Sequence, residues 1–140
     1  MIFSPPQNWN VEDVDNLNVL LITAPDVEEN WQANISLELR NDNEIRPLDK
    51  VLSVLSTNLA GYKKSFKELG RSVKTNGRGL TYGVIEYTHS QGESELLERE
   101  IVVPVKGPIY LFVMENTAKS LSNKYLAIFD KFTDSISLKK

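Results

Sequence analysis

Along residues 33–40 apolar and polar side chains alternate, with Ile35, Leu37 and Leu39 on one side and Asn34, Ser36, Glu38 and Arg40 on the other. A period of two predicts a strand buried on one face. Upstream, residues 17–24 form a short β run that stops at Pro25, and residues 26–30 (DVEEN) are polar enough for a loop. Before both, the two prolines of the stretch SPPQNW at 4–9 predict an irregular lead-in. The stretch NDNE at 41–44 reads as a turn.

The period then changes. Leu48, Val51, Leu52, Leu55 and Leu59 recur at helical spacing, behind Pro47, which suits a first turn, and with Asp49 at the positive end of the helix dipole. Gly61 is the expected stop. Residues 62–74 are ambiguous. Their second half is read as a strand because TNGRG at 75–79 looks like a hairpin turn and needs strands on both sides. Two strands, 80–89 and 96–105, follow around the turn SQGES, and Gly107-Pro108 introduces a third. Residues 109–114 (IYLFVM) are apolar without alternation, which predicts a central strand covered on both faces. Leu121, Tyr125, Ile128, Phe129, Phe132 and Ile136 make one helical stripe, with Thr117 or Ser120 as the expected cap. Two helices and about six strands predict one layered α+β domain over residues 1–140.

Composition narrows the function more than the fold. The chain has 140 residues, 41% hydrophobic and 25% charged, with a net charge of −3. That charge disfavours nucleic acid as a partner. The absence of cysteine removes disulfides, thiolate metal sites, cysteine nucleophiles and a lipidated cysteine. No basic region followed by a run of about 7 to 15 apolar residues opens the sequence, so a cytoplasmic protein is expected, or an envelope protein if a signal segment has been removed. The runs VLLI and IYLFVM fall far short of the ~20 residues that insert directly into a membrane.

Candidate chemistry is sparse. His89 is the single histidine, at a predicted strand end, and reads as a partly exposed edge residue; with no cysteine a zinc site there would need carboxylates. Glu93, Glu95, Glu98 and Glu100 crowd one segment but read as a solvated charged strand. NDNE lacks the glycine and terminal glutamate of a calcium loop, and GRGLTYG misses the dinucleotide spacing by one position. Lys63, Lys64, Lys67, Arg71, Lys74 and Arg78 form the one basic concentration, which reads first as a solvated face and second as a meeting point for an acidic partner. Asn34-Ile35-Ser36 matches a glycosylation sequon and means little without secretion. Trp9 and Trp31 stand in loops beside strands, where core lids outnumber binding anchors.

The order of these elements resembles the PsbP/DcrB/LpqN-like superfamily. The residues that carry the likeness are Pro6 to Trp9, the W-x-A-N-I lead into a strand, the helix after Pro47, NGRG between strands, REIVVPVKGPIYLFVMENTA, and a closing helix ending FDKFTDSISL. The resemblance implies an α/β/α sandwich with an antiparallel sheet between helices. It also implies a binding role: members include a photosystem II extrinsic subunit, envelope lipoproteins, a factor that binds a small GTPase, and chaperones of type VI secretion effectors. The resulting expectation is a non-catalytic adaptor or chaperone without cofactor or metal, binding another protein's apolar segment on sheet surface. Tyr82, Tyr87, Leu97 and Ile101 are the expected contacts, and a homodimer is allowed. The alternative is an envelope or photosystem-type accessory subunit whose signal segment is absent from this sequence; a small-ligand protein or hydrolase using His89 with carboxylates is a third reading.

Overall fold

The computed structural model describes residues 2–14 and 19–138; Leu17, where the first β run was expected to begin, lies outside them. In chain order the elements are β1 (Asn10–Val14), β2 (Val19–Thr23), β3 (Asn34–Asn41), α1 (Leu48–Tyr62), β4 (Lys64–Thr75), β5 (Thr81–Gln91), β6 (Ser94–Lys106), β7 (Ile109–Ala118), a 3-10 turn (Lys119–Leu121) and α2 (Ser122–Asp134). The strands form one seven-stranded sheet in the order β1-β2-β3-β7-β6-β5-β4. Every neighbouring pair is antiparallel.

Each face of the sheet carries one helix and its own core. Tyr125, Phe129 and Phe132 of α2, with Ile136 beyond it, pack on Ile22, Ile35, Leu37, Ile101, Val103, Leu111 and Val113. On the opposite face Val51, Leu52 and Leu59 of α1 pack on Ile85, Tyr87, Val102, Tyr110 and Phe112. Alternation in β5, β6 and β7 feeds both cores, which is why IYLFVM shows no polar side. The result is the expected α/β/α sandwich. The two helices are offset, however. The α1 core draws on β4 to β7 and takes no buried residue from β1, β2 or β3, whereas the α2 core is built on β2, β3, β6 and β7. Gly83 fits beneath α1 because a Cβ there would stand 3.1 Å from the Leu52 side chain.

Three local expectations are revised. The sheet has seven strands, not six, because NVEDV forms β1; β4, already expected, begins at Lys64, well before the predicted second half. Neither helix has a side-chain cap: Pro47 itself occupies the N-cap of α1, and Leu121, the last residue of the 3-10 turn, occupies that of α2 in place of Thr117 or Ser120. Helix α1 runs one residue past Gly61 and ends where Lys63 turns extended to start β4. The predicted hairpin turn is present and anchored. Asn76 Oδ1 accepts from the backbone of Arg78 at 2.9 Å and Leu80 at 3.0 Å, while its Nδ2 donates to the carbonyls of Thr133 at 3.1 Å and Ile136 at 2.9 Å.

Candidate functional site

The offset of α1 leaves the sheet open on that side over β1, β2 and β3. There Val19, Leu21, Ser36, Glu38 and, on β7, Met114 are half-buried, with no described helix above them. Along this face one register row is polar in every strand: Glu68, Tyr87, Glu98, Asn116, Asn34, Thr23 and Asn10 pair in succession from β4 to β1. Trp31 closes over the row, donating Nε1–H to Asn116 Oδ1 at 2.8 Å. Asn34 donates Nδ2–H to the same oxygen at 3.0 Å and to the Gln32 carbonyl at 3.0 Å, so it fixes the lead into β3. Trp9 acts on the other face as a lid, edge-on to Tyr125 with ring centroids 5.9 Å apart.

Where the open face meets the end of α1, the floor is acidic. Glu98 and Glu100 are 4% and 2% exposed and His89 is 3% exposed, which corrects both the solvated charged strand and the partly exposed histidine. The reason is position: β6 is an interior strand, and Glu98 and Glu100 alternate with residues of the opposite core between Leu96 and Val102. Tyr87 donates its hydroxyl to Glu98, and Lys63 Nζ lies 4.0 Å from Glu98 Oε1. His89 Nε2 stands 3.5 Å from that oxygen and makes no hydrogen bond among the described residues.

Burial works against the charge on Glu98, but His89, the Tyr87 hydroxyl and Lys63 outweigh it and hold the carboxyl below its ordinary value. Glu100 goes the other way. Burial first and the Glu98 charge second push it up to about 7, against the pull of Lys63, Arg40 and Tyr87. Burial and the two carboxylates raise Tyr87 above the ordinary phenol range, so it remains a donor. The pair can therefore hold a proton near neutrality. Among the described residues no three of His, Cys, Asp and Glu gather to hold a metal ion.

A second buried network lies beneath α2. Glu115 is fully buried, accepting from Arg99 Nε at 3.1 Å and from Thr133 Oγ1 at 2.8 Å, and Arg99 also reaches Asp130 at 2.6 Å. Burial raises Glu115 to about 7 despite Arg99 and Thr133. Of the four residues expected to touch a partner, Tyr87, Leu97 and Ile101 are buried in the core, and Tyr82 is half-buried beside a cleft of about 520 Å³ between β5 and α2. They do not form one surface. The sequence reading missed the Trp31–Asn116 link and the Glu115–Arg99 pair; the signal for the latter was an opposite-charge pair in otherwise apolar strands.

These features define an α+β sandwich whose polar groups position neighbours and hold protons, on an antiparallel sheet flanked by offset helices. Its fold is shared with solved structures that include an LpqN and a cyanobacterial PsbP. The chain is similar over 94% of its length to PA94, a Pseudomonas aeruginosa protein of unknown function, covering 98% of that chain at 10% identity with a TM-score of 0.76. It is similar over 94% to LpqN of Mycobacterium tuberculosis, involved in cell envelope biogenesis, covering 78% of that chain at 16% identity with a TM-score of 0.68. A cyanobacterial PsbP from Synechocystis matches 95% of the chain and 83% of its own at 17% identity, TM-score 0.64. No family model and no curated protein matches the sequence. The cytoplasmic expectation is corrected by these likenesses, since the fold is shared with a protein of cell envelope biogenesis and with a PsbP.

Proposed function

We propose that the chain is a non-catalytic accessory subunit of the envelope kind that holds a protein partner against the open sheet face beside α1. The observation that carries this reading is the half-buried platform of Val19, Leu21, Ser36 and Met114, rimmed by Trp31 and covered by no helix among the described residues. Such a platform gains about 25 cal/mol for each Å² of apolar surface a partner covers. The likeness to an envelope-biogenesis protein supports the setting. A photo-crosslinking residue placed at Ser36 in the native host tests it, with the same residue at exposed Thr57 on α1 as control. A discrete adduct from Ser36 and none from Thr57 is expected. Equal labelling from both sites, or none from Ser36, overturns the reading.

A further inference from the structure

The sheet has two edges, and they differ. Strand β1 is 5 residues long and carries Glu12 and Asp13; β4 is 12 residues long and almost wholly exposed. In a chain of net charge −3, residues 63–78 hold six cations and one acid. Arg71 pairs with Glu68 and Lys63 lies near Glu98, but Lys64, Lys67, Lys74 and Arg78 make no ion pair among the described residues. Lys64, Lys67 and Lys74 pair in register with Ser90, Thr88 and Tyr82, so all three stand on the α2 side of β4, where Lys131 faces Lys74 across the cleft.

Lysines and bulges commonly guard an edge strand against pairing. Lysines run the length of β4, but the bulges are confined to its first half: Ser65 has φ 56°, and the register shifts fall between Lys64 and Lys67 and between Glu68 and Gly70. From Gly70 to Thr75 the register against β5 is unbroken, and Val73 is 49% exposed there. That half is an open, regular edge with cations beside it.

We propose that residues 70–75 of β4 are a docking edge for an extended acidic segment of a partner protein, which adds to the sheet as a further strand. Unpaired edge amides and carbonyls select an extended polypeptide, while the unneutralised lysines select its charge. Glu86 stands opposite Gly70, and Asp130 is held by Arg99; Asp134, which accepts from the backbone of Gly77, and Asp49, beside Arg71 and Val73, border the strip as carboxylates, so its excess of positive charge rests on Lys64, Lys67, Lys74 and Lys131. This surface is distinct from the open face beside α1, and the two readings stand or fall separately.

The test is hydrogen exchange during titration with a synthetic peptide alternating glutamate and valine. Residues 70–75 gain protection, the affinity drops on the order of tenfold in a Lys67→Gln/Lys74→Gln variant, and it weakens with salt. Both lysines are exposed, so the variant folds as the parent does. A peptide with glutamine for glutamate, or with a central proline, binds more weakly if the proposal holds. Equal binding of either control peptide, protection confined to β1, or no protection overturns it. Self-association of the lysine variant without gain or loss of peptide affinity also overturns it, because the lysines are then guards alone. Wild-type self-association broken by Glu12→Lys has the same effect, since the occupant is then β1 of a second copy.

Discussion

Glu100→Gln isolates the cost of the buried acidic pair. In the folded chain burial and Glu98 raise the Glu100 carboxyl from 4.5 to about 7. Each unit is worth about 1.4 kcal/mol, so the ionised form costs the fold on the order of 3 kcal/mol. The folded state keeps a proton that the unfolded chain releases between these values. The Glu100 contribution is therefore fully present below pH 4.5 and is lost as the pH rises through 7. Glu98, held below its ordinary value, titrates beneath that window. Glu115 titrates within it but is present in both proteins and cancels in the difference. Glutamine reproduces the protonated shape at every pH. Urea titrations followed by the fluorescence of Trp9 and Trp31 are expected to show nearly equal stability at pH 4.5 to 5, and a variant more stable by roughly 2 to 3 kcal/mol at pH 8. That difference corresponds to a midpoint shift on the order of 1 M urea. A difference independent of pH, or a variant less stable at pH 8, would refute the electrostatic account of the pair.

Arg99→Ala leaves the Glu115 carboxylate buried without its guanidinium, and a loss of about 3 to 5 kcal/mol at pH 8 is expected, smaller at pH 5 where Glu115 takes up a proton; thermal melts at both pH values check it. Gly83→Ala drives a methyl to 3.1 Å from Leu52 and is expected to cost about 1 to 3 kcal/mol, part of which returns in combination with Leu52→Ala in a double-mutant cycle read by urea unfolding. Trp31→Phe removes one donor to Asn116 while Asn34 keeps the other, so a loss of only about 0.5 to 1.5 kcal/mol in chemical denaturation is expected, with the fold intact by circular dichroism.

What was legible in the sequence follows from which elements alternate cleanly. Strand β3 and helix α1 each bury one stripe, so periods of 2 and 3.6 reveal them directly. Strand β1 escaped notice because four of its five residues, Asn10 to Asp13, are exposed, and an edge strand with no buried side leaves no pattern. The first half of β4 was obscured by its bulges, which break alternation at Ser65 and Leu69. The acidic pair was misread for a different reason. Alternation places Glu98 and Glu100 on one face, but it does not say what covers that face. A signal was present: Leu96 and Val102 lie on the same side as the two glutamates, while Leu97, Ile101 and Val103 occupy the other, so both sides of β6 had to be interior. Tyr87, Leu97 and Ile101 carried the same ambiguity in reverse, since an apolar side chain in a strand reads alike whether it meets a partner or a core.

The pairing of β3 with β7 has a consequence for biosynthesis. Asn34 meets Asn116 across 82 positions of chain, with α1, β4, β5 and β6 all translated in between. Closing so long a loop delays nucleation and slows folding relative to a meander of neighbouring hairpins. While the ribosome is still adding β4 to β6, the first three strands lack the partner that joins them to the rest of the sheet. The nascent amino-terminal third is then the stretch most in need of a holding chaperone, and substitutions there will lower yield before they lower the stability of the finished molecule.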